Sequence, residues 1–150
     1  MGIDSDAYLA YGVDFGEEGE FPWEGEEYNG DIEDWWREIK GFSPSVVPDW
    51  LADDSLERQA VVKQYFDERK SFDEANPLPV DVIGHCSDDY MMTILAVKGT
   101  EKRADRGDPV EIAQSDMFPE PNAQKMIDFC KEYGIELPSE PTWLLFSYMG

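Results

Sequence analysis

His85, Cys86, Ser87, Asp88 and Asp89 stand side by side in this chain, and they are the residue types of nucleophilic catalysis. A thiolate nucleophile needs a base within hydrogen-bond reach. Residues 80–86, VDVIGHC, read as a strand, in which adjacent side chains point to opposite faces, so His85 does not serve Cys86 locally. His85 is the sole histidine, so no second imidazole replaces it. Asp88 and Asp89 suit a tight turn, where Asp bonds to nearby backbone. The cluster therefore reads as a turn beside a satisfied strand His. A small Cys/His enzyme is the weaker reading, no catalytic residue is assigned, and the chain is not expected to be an enzyme.

Metal chemistry fares no better. His85, Asp88 and Asp89 have suitable donors, but the acidic stretch lacks the register of a calcium loop and no Cys or His spacing suits zinc. Neither phosphate-binding glycine motif occurs, and no metal or cofactor is expected. Arg106-Gly107-Asp108 reads as a glycine turn before Pro109, not as an adhesion signal. Around it, Lys98, Lys102, Arg103 and Arg106 form the main basic patch, expected to pair with the chain's own acids.

Recognition chemistry is concentrated near the start. The first 40 residues hold thirteen acids and two bases, with Phe21, Trp23, Tyr28, Trp35 and Trp36 interleaved. Interfaces favour Trp and Tyr anchors, and surrounding charge steers the encounter. The expected partner-binding set is Glu17, Glu18, Glu20, Trp23, Glu24, Glu26, Glu27 and Tyr28, with Trp23 and Tyr28 as anchors. Trp35 and Trp36 fall on a following helix and read as core. Two other readings of the stretch are a disordered acidic loop whose aromatics rest on the core, and a mimic of DNA phosphates in a nucleic-acid site. Mimicry needs rigidly spaced carboxylates, and the four glycines within residues 16–30 oppose rigidity.

The totals agree with a folded chain that carries an unusual field. At 150 residues with 41% hydrophobic and 13% aromatic content, the chain fits one α+β domain over residues 1–150, with an acidic Gly/Glu/aromatic loop at 16–30. A formal charge of −22 disfavours nucleic acid and anionic membrane, and favours a protein with a basic surface. No apolar run approaches the roughly 20 residues of a membrane span, and the start MGIDSDAYLAYG has neither a secretory pattern nor the expected myristoylation residue. Two cysteines are too few for a disulfide framework and imply a reducing cytoplasm.

The elements that must position these residues follow from periodicity. Residues 7–15 alternate as a strand, and 31–40 have helical spacing. A second helix runs from Ser55 to about Phe72, with Asp54 as N-cap and Leu56, Ala60, Val62, Tyr65 and Phe66 as its apolar stripe. Strands at 80–86 and 90–99 form a hairpin, the second apolar on both faces. Val110–Ala113 suits a short edge strand, residues 121–133 a helix, and TWLLFSYM at 142–149 a buried strand. The order predicts an antiparallel sheet with helices packed on one face, in the split βαβ, ferredoxin-like order, with the acidic loop inserted.

Three stretches carry a resemblance. YLAYGVDFG near the start, GHCSDDYMMTILAV with a later RGDPVE, and WLLFSYMG after a PSEPT turn are similar to a group of small proteins of tailed bacteriophages. That group has a YG-type strand, a central HCS-x-x-Y motif and an aromatic SY-x-G end. The resemblance implies a context and no reaction: an intracellular phage product in the cytoplasm of an infected bacterium. Phage proteins of this size and charge often bind and inhibit a host protein or defence complex, by analogy. A virion-associated or structural accessory role is the alternative that this context also allows.

Overall fold

The computed structural model describes residues 5–149, so Met1-Gly2 and the closing Gly150 lie outside the described residues. The element order is β1 (Ser5–Gly16), α1 (Ile32–Ile39), α2 (Leu56–Ala75), β2 (Val80–Ser87), β3 (Met91–Val97), β4 (Lys102–Ala104), α3 (Glu120–Glu132) and β5 (Thr142–Met149). The fold is α+β, a five-stranded sheet with three helices among the described residues. The chain separates into two compact units: Met1–Glu24 with Pro79–Gly150, here unit 1, and Gly25–Leu78, here unit 2.

Unit 1 holds the whole sheet. β1 lies antiparallel to β3 and β5, and β2 lies antiparallel to β3. Each helical crossover thus joins two parallel strands with a third between them, which is the split βαβ order that the sequence suggested. One short parallel ladder, Cys86 with Tyr148 and Ser87 with Met149, also joins β2 to β5. The pairings therefore run β1–β3–β2–β5 and return to β1. All four strands contribute to one cluster, Ala10, Ile83, Ile94 and Ala96, with Leu144 and Phe146 packed against it. Ile94, Leu95, Ala96 and Val97 are all buried, as a strand apolar on both faces should be. β5 is not: its residues alternate and Leu145 is 79% exposed, because only one of its faces meets the cluster.

The expected edge strand at Val110–Ala113 does not form; those residues are outside any strand, and the short strand is Lys102–Ala104. The reason is the free edge of β1. β3 pairs with Gly12–Gly16, and after a break at residues 98–101 the chain pairs with Ala7–Leu9 as β4. Thr100 fills the break. Its hydroxyl accepts from the Tyr11 N–H at 3.1 Å and lies 2.8 Å from the Val97 carbonyl. It is one of two buried polar side chains among the described residues.

Unit 2 is held by polar ties and by the rings of Phe42 and Trp50 against α2. Asp31 caps α1, its carboxylate accepting from the N–H groups of Glu33 and Asp34. Trp35 and Trp36 are buried, as expected, and the Trp36 indole N–H donates to the Asn76 carbonyl at 2.9 Å. The buried Arg37 joins α1 to α2 by a two-pronged bond to Asp73, both at 2.8 Å, and also reaches Asp34 and Glu33. The N-cap of α2 is Ser55, not Asp54: the Ser55 hydroxyl accepts from the Arg58 N–H, while Asp54 accepts from the Gln59 side chain. Both are good cap residues, and the extended backbone of Ser55 decides between them. The apolar stripe expected on α2 is not a core stripe, since no residue of the helix is buried.

The segment before α2 is pinned by Glu68, whose carboxylate accepts from the Ser45 N–H at 2.8 Å and from the Ser45 hydroxyl. The Ser45 hydroxyl and then its N–H hold the Glu68 carboxyl below its ordinary value of 4.5.

Two outcomes follow from these bonds. Thr100→Val keeps the shape but strands the Tyr11 N–H, and is expected to cost about 1–3 kcal/mol in urea unfolding. The depressed Glu68 value stabilises the fold above the ordinary carboxylate value and is lost as pH falls through the lower folded value. Stability should thus fall more steeply between neutral pH and about pH 3 in the wild type than in Glu68→Gln.

Candidate functional site

The cluster around His85 is the first place to look for chemistry. His85 Nε2 lies 3.1 Å from Asp14 Oδ1, and its ring meets Phe146 edge-on at 5.5 Å. Asp14 also accepts from the Gly16 N–H, where β1 shifts register. The Ser87 hydroxyl accepts from the Tyr90 N–H at 3.2 Å and closes the hairpin turn. Asp88 accepts from the Tyr148 hydroxyl, and that bond pushes the phenol above its ordinary value. Each of these polar groups thus shapes the end of the sheet.

Cys86 departs from regular strand geometry. Its φ of 78° is the left-handed region that side chains rarely adopt, so strict alternation of faces does not hold there. The residue sits where β2 leaves β3 and meets β5, and the kink serves that change of partner. Its thiol is half-buried, whereas Cys130 is buried on α3. Burial pushes the Cys130 thiol up to about 11. Among the described residues no group of three or more His, Cys, Asp and Glu side chains is placed to hold a metal ion, and no helix is long and apolar enough to cross a membrane.

The acidic stretch divides where the two units divide. Glu17, Glu18, Glu20 and Glu24 are exposed residues of unit 1, and Glu26, Glu27 and the half-buried Tyr28 belong to unit 2. The stretch is folded into successive turns, with Glu18 N–H on Phe15, Glu24 N–H on Phe21, and Tyr28 and Asn29 N–H on Gly25. Loss of water and a hydrogen bond to Glu38 push the Tyr28 phenol above its ordinary value.

Trp23 is not a surface anchor. It is 2% exposed, stacked on Phe21 at 5.0 Å, with Phe129 of α3 at 6.5 Å. Phe21 in turn meets Phe15 of β1 at 4.9 Å. Gly19 permits that fold-back, since a Cβ there would fall 2.5 Å from the Phe21 ring. The acid content of the loop pointed outward, but its aromatics close the core over α3. The spacing of Phe21 and Trp23, two apart, is the signal in the sequence that matches this.

Large apolar side chains are exposed in both units, among them Tyr90, Phe118 and Leu145 of unit 1; in unit 2, Val47, Trp50, Leu51, Leu56 and Phe66 fall on α2 or in the stretch leading into it. In the sequence, Leu56 and Phe66 stand out as part of the apolar stripe of α2, whereas Val47, Trp50 and Leu51 carry no such signal. Comparison with family models, curated proteins and solved structures found no match to the chain.

The two thiols should separate in a labelling experiment. With iodoacetamide at about pH 8, Cys86 is expected to be alkylated in the folded protein and Cys130 only on unfolding. Peptide mass spectrometry reads both sites, and equal rates would contradict the packing of α3.

Proposed function

We propose that this protein acts by binding a basic surface of another protein, and that it inhibits the protein it binds. The observation behind this reading is the disposition of charge. Among the described residues, eight of the chain's twelve bases are held in ion pairs with its own acids. Lys98 pairs with Asp81, Lys102 with Asp116, and Arg103 with Asp6 and Asp105, so three of the four bases of the main basic patch are matched by the chain's own acids. Lys40 lies over the Trp36 ring at 4.5 Å. With thirty-four acids in the chain, most carboxylates have no cation to match them, and the surface field is negative.

Such a field raises the encounter rate with a basic protein surface and repels phosphate backbones. The exposed Glu17, Glu18, Glu20 and Glu24 of unit 1, and Glu26 and Glu27 of unit 2, supply it near the start of the chain. The resemblance to phage proteins supplies the setting: a host protein or defence complex, in the cytoplasm of an infected bacterium.

The test is recovery of partners from bacterial lysate over a range of salt, comparing wild type with a variant carrying Gln at Glu17, Glu18, Glu20, Glu26 and Glu27. These side chains are exposed, so the variant keeps the fold, which Trp23→Ala would not. Recovery of a discrete partner that falls with salt and with neutralisation, and whose activity the wild type suppresses, is the expected outcome. The same partners in the same amounts from both proteins would sink the proposal.

A further inference from the structure

We infer that unit 2 carries a docking surface for an amphipathic, basic segment of a partner protein, built from α2 and the turn before it. The inference rests on the binding role proposed above, and adds where the partner sits and what chemistry it presents.

The first observation is how little of unit 2 is core. Among the buried apolar residues described, unit 2 contributes Trp35, Trp36 and Pro48, and all the others belong to unit 1. α2 runs for 20 residues without a buried one. A helix usually draws its stability from packing an apolar face. Here Leu51 is 97% exposed and Leu56 84%, with Val47, Trp50 and Phe66 also exposed. A lone exposed Leu means nothing, but a group of large apolar side chains marks an interaction site.

The group is held in place. Trp50 meets Tyr65 edge-on at 5.7 Å and Phe66 at 6.1 Å. Arg58 on α2 donates to the carbonyls of Asp49 at 3.0 Å and Trp50 at 3.5 Å, which fixes the turn against the helix. Ala60, one helical turn beyond Leu56, lines an open groove of about 820 Å³ whose other walls include Phe42, Gln64, Glu68 and Phe72. The groove thus begins one turn from Leu56, and Lys63, the base in its lining, is paired with Asp67.

Charge selects the occupant. Asp49, Asp53, Asp54 and Glu57 frame the apolar group, and Arg58, the one base within residues 45–60, is turned onto Asp54 and the two carbonyls. A second copy of the chain would bring two charges of −22 together. Nucleic acid and anionic lipid have the wrong sign. A segment with apolar residues on one face and Lys or Arg around them satisfies both the side chains and the carboxylates, as in helix-in-groove recognition.

Three labelled model peptides of equal length, titrated by fluorescence anisotropy against the full chain, test this: Lys/Leu amphipathic, Lys/Gln of the same charge, and Glu/Leu. Lys/Leu should bind at least about tenfold more tightly than Lys/Gln, a difference removed by Leu51→Ser with Leu56→Ser. Both positions are almost fully exposed, so the variant folds, and circular dichroism confirms it. Glu/Leu should not bind. Equal affinity for Lys/Leu and Lys/Gln overturns this inference and leaves the acidic binding role standing. Failure of both cationic peptides, with no salt-sensitive partner from lysate, overturns the two together. Sedimentation showing a dimer that the Leu51→Ser, Leu56→Ser variant loses would give the surface to a second copy, and would also overturn it.

Discussion

The sheet of unit 1 depends on how closely β1 approaches β3 at Gly12. A Cβ at that position would fall 2.2 Å from the Leu95 carbonyl oxygen and 2.7 Å from the Ala96 Cα, both backbone atoms that cannot swing aside. Only glycine fits. Gly12 is also where β1 changes partners, matched to Ala96 on one edge and to Thr142 on the other. Pairing on both edges lets one long strand serve β5 and β4 along its first half and β3 along its second. The closed run of ladders, and the cluster drawn from four strands, follow from that single crossing.

The second constraint lies just beyond it. Where β3 gives way to β4, the ladder along β1 would leave the Tyr11 N–H buried and unpaired, and the Thr100 hydroxyl takes the place of the missing backbone group. A buried donor without a partner costs more than a hydrogen bond ordinarily gains. The same logic explains Arg37 in unit 2. A guanidinium 7% exposed is tolerable because three carboxylates surround it, and the bond to Asp73 makes one arrangement of α1 and α2 preferable to others.

Where local pattern dominates, the sequence is legible. Alternation marks β1, Asp88-Asp89 marks the hairpin, and the helical spacing of Trp35 and Trp36 marks them as core. What escapes is decided by distant partners. Lys102-Arg103-Ala104 is poorer strand material than Val110–Ala113, yet it pairs, because β1 offers an edge there and Thr100 sets the register. Trp23 has an acidic neighbourhood, yet Phe129, more than a hundred residues away, takes it inside. The candidate site escapes for the same reason in reverse. Leu56 and Phe66 have the spacing of a core stripe, and spacing alone does not say whether a stripe is covered.

That last distinction connects stability to function. A helix as long as α2, with apolar side chains such as Val61, Val62, Tyr65 and Phe72 only half-buried, gains less from apolar burial than a core helix, and ion pairs and capping bonds add to it. Exposed pairs such as Lys63 with Asp67 contribute at most about 1 kcal/mol each. Unit 2 therefore has fewer buried apolar side chains to hold it than unit 1, which contains the sheet and its cluster. Covering Trp50, Leu51, Leu56 and Phe66 would bring it the burial it lacks, and at about 25 cal/mol per Å² even a few hundred Å² outweighs several such ion pairs. A partner that binds there stabilises the unit by mass action as well as occupying it. In unit 1 the chain supplies that burial itself, in the cluster that the crossing of β1 and β3 at Gly12 brings together.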